Sequence, residues 1–290
     1  MVASTRVKKM LIGIVLLIVA AYVALLIWFC VNEDALLFHP EKGKLVAAAK
    51  DLDLDSRDVT LASSDGTALV GRLIPPPDGT RGTSAPYILY LHGASGNVGT
   101  PGYNQAWSKF RRLGLGVFAV DYRGYGQSAG DPSEAGFYRD ADAALAYLTE
   151  HLHIPATNIV IYGYSLGSAV AIDLASRTQV AGLIVEGALL SIPSRAWELY
   201  PYVPVHLLAR NRFASVDKIA RVAMPKLLIH AREDSYVPIA HGQRLFKLAK
   251  DPKYFLAVAG SHTTAHEVDP AFFTTIARFI NGLGLQAQGP

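Results

Sequence analysis

The chain has 290 residues, 51% of them hydrophobic and 18% charged, a composition that excludes disordered and fibrous classes and suits one enzyme-sized domain with a short appendage. Its single cysteine, Cys30, excludes an intrachain disulfide and any multi-cysteine zinc or iron–sulfur site. The net charge of +3 sits at the N-terminus, where Arg6, Lys8 and Lys9 have no acid beside them; setting these aside leaves 24 basic against 24 acidic residues, which offers nothing to nucleic acid.

Residues 10–31 carry no charge. As a helix rising ~1.5 Å per residue they would span roughly 33 Å, close to the ~30 Å hydrocarbon core of a bilayer. Trp28 and Phe29 near the far end suit an interfacial belt. A cleaved signal peptide would have a shorter apolar region, about 7–15 residues, with small residues at the cut. Ala20, Ala21 and Ala24 make a poor site of that kind, and Phe29 is too large to precede a lipoprotein cysteine at Cys30. The expectation is an uncleaved signal anchor. Lys8 and Lys9 abut it on one side and Glu33 and Asp34 on the other. The positive-inside rule then places a tail, residues 1–9, in the cytoplasm and the large domain in the periplasm, outside the cell or in a lumen. A connector, residues 32–56, leads to that domain.

Residues 59–62 and 69–74 flank Asp65-Gly66, a hairpin signal. The stretch from Pro75 to Pro86 reads as an exposed loop. Unbroken apolar runs follow at 87–91, 116–120, 158–162, 183–185 and 226–230, the pattern of strands buried on both faces. Helical spacing lies between them at 133–152 (Ser133 as N-cap), 165–176, 239–250 and 270–281. Alternating buried strands and helices predict one α/β domain, a mostly parallel sheet covered on both faces.

Ligands of open α/β sheets bind at the carboxyl ends of the strands. Gly163-Tyr164-Ser165-Leu166-Gly167 follows one strand and opens a helix, a turn that presents a serine hydroxyl as a candidate nucleophile and aims the Leu166 N–H at the space before it. The acid belongs after a later strand, where Asp234 is the choice and Glu233 the alternative. The base belongs after the next strand, where His262 is the choice and His266 the alternative. His262 and His266 have metal-ligand spacing, but Thr263 stands where a zinc protease has Glu, and no third ligand is evident; no metal is expected. In Leu91-His92-Gly93-Ala94-Ser95-Gly96-Asn97, the Ala94 N–H is the expected second oxyanion donor. His92 and Asp121 read as structural. The segment 188–224 is a short lid, and its Trp197, Tyr200, Tyr202 and Val203 either line an acyl pocket or pack on the sheet.

The motifs LHGASGN, DYRGYGQSAG, YGYSLGSAVA, EDSYVP and GSH together resemble the α/β-hydrolase superfamily. Within it the chain is similar to the membrane-anchored bud-emergence-type proteins and the abhydrolase-domain depalmitoylases. The resemblance implies an α/β-hydrolase domain at 57–290, Ser165, Asp234 and His262 as catalytic residues, and Ala94 with Leu166 as oxyanion donors. It implies hydrolysis of acyl esters or thioesters, of lipids or lipidated molecules among others, without a cofactor. Four positions depart from the pattern: Ala231 where Gly is frequent, Ala94 where Asn is frequent, and Thr263-Thr264 where Asn-Asp is frequent. A non-catalytic scaffold and a serine peptidase stand as alternatives.

Overall fold

A computed structural model describes residues 2–43, 55–77 and 85–285. Much of the expected 75–86 loop and part of the connector lie outside the described residues. Helix α1 (Val2–Leu37) is continuous over 36 residues. It runs beyond the expected span because no helix breaker intervenes before Pro40. Its last turn closes through the Phe38 N–H to the Asp34 carbonyl at 2.8 Å. Phe38 then enters the core, 5% exposed, against Phe137 and Phe213. The start of the expected connector is therefore fastened to the domain, and β1 (His39–Pro40) fastens it further.

Strands β2 (Arg57–Ala62) and β3 (Ala68–Ile74) form the expected antiparallel hairpin. At its turn Gly66 has φ +81° and Asp65 accepts the Thr67 N–H. Next come β4 (Tyr87–Leu91), β5 (Ser95–Gly96), which pairs in parallel with β1, and α2 (Pro101–Arg112). Helix α2 has no clear mark in the sequence: Pro101-Gly102 looks like a turn, yet proline is well placed in the first turn of a helix. After β6 (Gly116–Val120), α3 (Glu134–Ala146) starts at Ser133, whose Oγ accepts the Gly136 N–H at 3.2 Å. Strand β7 (Ile159–Tyr164), helix α4 (Leu166–Ala175) and strand β8 (Gly182–Glu186) follow. The lid holds α5 (Ile192–Leu199) and α6 (Val205–Leu208). The chain closes with β9 (Lys226–Ala231), α7 (Ile239–Leu248), β10 (Lys253–Val258), α8 (Ala265–Val268) and α9 (Ala271–Gly282).

The main sheet has eight strands in the order β10-β9-β8-β7-β4-β6-β3-β2, antiparallel only where β3 meets β2 and β6. Side chains alternate across it. Ile161 and Val185 join Val170 and Ile172 of α4 on one face, and Val160 and Ile184 join Trp107 of α2 and Ile276 of α9 on the other. Burying each such aliphatic side chain contributes about 1.5–3 kcal/mol. The face toward α3 also holds an ionic knot. Arg123 donates to fully buried Asp140 at 2.7 Å and to Asp65 at 2.8 Å, joining the β6 loop to α3 and the hairpin turn. This knot accounts for Arg123 in Asp121-Tyr122-Arg123.

Candidate active site

Ser165 stands between β7 and α4 with φ 53° and ψ −122°. A serine in so sparsely populated a region costs on the order of 1–3 kcal/mol and persists only where its neighbours dictate it. Its N–H donates to the Glu186 carbonyl at 2.9 Å, and its carbonyl accepts the Ser168 N–H at 2.9 Å. The two motif glycines have a steric cause. A Cβ on Gly163 would lie 2.5 Å from the Gly167 carbonyl oxygen, and one on Gly167 would lie 2.1 Å from that of Leu91. Helix α4 thus crosses directly on the end of β4, and the serine hydroxyl is left at the top of the sheet.

His262 follows β10. Its backbone is held by the Tyr164 hydroxyl, which donates to its carbonyl at 3.1 Å, and by Thr264, whose Oγ1 accepts the Ser261 N–H at 3.0 Å. The ring's Nε2 is 2.9 Å from Ser165 Oγ and its Nδ1 is 2.6 Å from Asp234 Oδ2. A carboxylate only accepts, so Nδ1 carries the hydrogen and Nε2 presents a lone pair to the serine. Asp234 occupies the turn after β9, where its Oδ1 accepts the Val237 N–H at 2.7 Å. Burial pushes its carboxyl upward, but the His262 hydrogen bond and charge and the Val237 N–H outweigh burial and hold it below the usual carboxylate range.

The alternatives fall elsewhere. Glu233 is exposed. His266 lies on α8, 3.7 Å from Glu267 and against Phe272. His241, on α7, meets Glu198 at 2.9 Å. Asp121 is fully buried and accepts the Val98 N–H. His92 Nδ1 donates to the Gly93 carbonyl at 2.8 Å, and that peptide also carries the Ala94 N–H, so His92 fixes the direction of that donor. A Cβ on Gly93 would lie 3.3 Å from Ser165 Cβ, which places this loop beside the serine. Leu166 begins α4, where the N–H has no intrahelical acceptor. Among the described residues no cluster of three or more His, Cys, Asp or Glu could hold a metal.

Four contributors escaped the sequence. Gly187 has φ +59°, and a Cβ there would lie 2.8 Å from His262 Cε1, so the imidazole needs a glycine beneath it. The rings of Tyr164 and Tyr236 flank the imidazole at 5.2 and 5.5 Å. Glu186, 6% exposed, accepts a hydrogen bond from the Tyr162 hydroxyl, and burial pushes its carboxyl up to about 7 against that bond and the charge of His262. The only signal was a lone charge followed by glycine at the end of an apolar strand. Of the lid aromatics, Tyr200 packs on Phe29 of α1, Trp197 is half exposed beside His206, and Tyr202 is 84% exposed.

A family model described as "Serine aminopeptidase, S33" matches residues 83–216. The uncharacterized protein Rv2307c of Mycobacterium tuberculosis is 31% identical over 285 residues, 98% of this chain and 99% of that one. Protein bem46 of Schizosaccharomyces pombe is 32% identical over 213 residues, 72% of this chain and 70% of that one. Among solved structures, the Pyrococcus furiosus esterase Pf2001 superposes with a TM-score of 0.69 at 20% identity, covering 84% of this chain and 98% of that chain. With this fold, the serine at its strand-to-helix turn and these relatives, the chain belongs to the α/β-hydrolase superfamily.

Proposed function

We propose that the protein is a membrane-anchored serine hydrolase that cleaves carboxylic esters or thioesters through an acyl-enzyme on Ser165. The observation that carries this reading is the continuous hydrogen-bonded line Asp234–His262–Ser165, with spacings of 2.6 and 2.9 Å. His262 Nε2 takes the hydroxyl proton as Oγ attacks the acyl carbonyl, and Asp234 stabilises the resulting imidazolium. The carbonyl oxygen becomes an oxyanion, received by the N–H groups of Leu166 and Ala94; one such donor contributes about 10²–10³ in rate. His262 then returns the proton to the leaving alcohol or thiol, and water, activated by the same nitrogen, releases the acid.

Helix α1 serves as a single-pass anchor with its N-terminus in the cytoplasm and the catalytic domain on the other side of the membrane. Its uncharged run and its flanking Lys8 and Lys9 support this. A second reading, a serine peptidase, draws on the description of the matching family model.

Matched ester, thioester and amide substrates given to the full-length protein in detergent separate these readings. Hydrolysis of esters or thioesters, lost in Ser165→Ala, is expected. Amide cleavage with inert esters would favour the peptidase, and no turnover of any class would leave a non-catalytic scaffold.

A further inference from the structure

Helix α1 does not leave the domain where its apolar run ends. The Tyr22 hydroxyl donates to the Tyr202 carbonyl at 2.7 Å, and the rings of Phe29 and Tyr200 meet edge to face at 5.0 Å. Above them a polar clasp closes the junction. The Glu33 carboxylate accepts the backbone N–H groups of Arg210 and Asn211 at 3.0 and 2.8 Å, and Asp34 accepts the Asn211 amide at 2.8 Å. The lid therefore lies alongside the last turns of the uncharged run. Tyr22 is about 13 Å below Val31 at the helical rise.

From the level of Phe29 to Leu37, on both sides of the clasp, helix and lid leave a space between them. They enclose a groove of about 210 Å³ whose walls include Phe29 and Leu36 on the anchor and Ala196, Leu199, Val203 and Ala209 on the lid. Phe29 lies within the uncharged run and Glu33 just past it, so the groove straddles the boundary between hydrocarbon and headgroups. Outside it the lid exposes Tyr202, at 84%, whose carbonyl meets Tyr22 of the anchor, and Leu207, at 86%. Such a surface is poorly suited to water and well suited to the outer hydrocarbon and its interface.

We propose that this groove is a lipid site: it opens sideways into the leaflet next to the catalytic domain and holds one acyl chain of a bilayer phospholipid. The proposal rests on the membrane-anchor reading of α1. The chain would lie against α5, whose Arg195 donates to the carbonyls of Tyr236 and Ser235 at 2.6 and 3.1 Å, in the turn that carries Asp234. The site thus adjoins the segment that holds the acid of the triad.

The test uses full-length protein reconstituted into phosphatidylcholine liposomes containing a phosphatidylcholine with a diazirine on one acyl chain. After irradiation, adducts are mapped by mass spectrometry. Adducts are expected on residues 10–31 and also on Leu199 and Val203. The groove-filling variants Ala196→Phe and Ala209→Phe, each checked for folding by circular dichroism, should lower the lid adducts at least fivefold and spare those on the anchor. Anchor adducts without lid adducts would overturn the groove and leave the anchor standing. Lid adducts confined to outward-facing Tyr202 and Leu207, a pattern read from the unsubstituted protein alone, or insensitive to both variants, would also overturn it. Adducts on neither segment would remove the membrane anchor itself, and the proposal with it.

Discussion

Glu186 offers a quantitative check on the packing beneath the active site. Its carboxyl is sealed at the end of β8, with Tyr162 donating to Oε2, and among the described residues Oε1 has no hydrogen-bond partner. Tyr90, Tyr103, Tyr164, Asp234 and His262 are the other titratable groups around it. Burial moves its ionisation from 4.5 up to about 7. Between those values the folded protein keeps a proton that the unfolded chain has lost. The stabilisation is therefore complete below pH 4.5 and disappears as pH rises through 7, a change of about 3 kcal/mol in all. Glu186→Gln keeps the shape and an acceptor for Tyr162 but has no proton to lose. Relative to the variant, the wild-type protein should fall by about 6–12 °C in melting temperature between pH 4.5 and 8, taking 2–4 °C per kcal/mol for a domain of this size. His230 and His266, both pushed down by burial, bias stability in the opposite direction, but they are common to both proteins and cancel. Near-UV circular dichroism melts of the full-length chain in detergent at several pH values provide the comparison. Parallel pH profiles for the two proteins would refute the buried-carboxyl argument.

Other substitutions probe the frame. Gly167→Ala forces a Cβ to within 2.1 Å of the Leu91 carbonyl oxygen, which is backbone and cannot swing away; a loss of about 3 kcal/mol or more, and of esterase activity, should appear in denaturant melts and turnover. Arg123→Ala strands fully buried Asp140 without its guanidinium, and about 3–5 kcal/mol of stability should be lost, read from urea unfolding. His262→Ala should slow ester hydrolysis by about 10²–10⁴-fold while His266→Ala changes it less than threefold; the reverse order would move the base to α8.

The sequence revealed those parts of the molecule that local chemistry dictates. Unbroken apolar runs exposed the central strands because a strand covered on both faces has no polar side to alternate. Asp65-Gly66 marked the hairpin because its turn needs positive φ. Gly163 and Gly167 pointed to Ser165 because any Cβ there collides with neighbouring chain. The chain order of Asp234 and His262 then followed from the strands before them. The remainder depends on contacts distant in sequence. Gly187 looks like any loop glycine until His262 is placed over it, 75 residues later. Pro101-Gly102 conceals the start of α2, since proline serves turns and first helical turns equally well. Trp197, Tyr200 and Tyr202 could not be assigned to core, pocket or surface from composition. The positions of Tyr200 and Tyr202 depend on α1 lying against the lid, which no local pattern records.

In the proposed mechanism Ser165 is made nucleophilic by His262. Incubation of the full-length protein with a fluorophosphonate, followed by tryptic peptide mapping, tests it directly. One phosphonylated residue, Ser165, is expected, with labelling abolished in Ser165→Ala and slowed at least a hundredfold in His262→Ala while both variants melt cooperatively. Undiminished labelling of folded Ser165→Ala, or a wild-type adduct on any other residue, would contradict it.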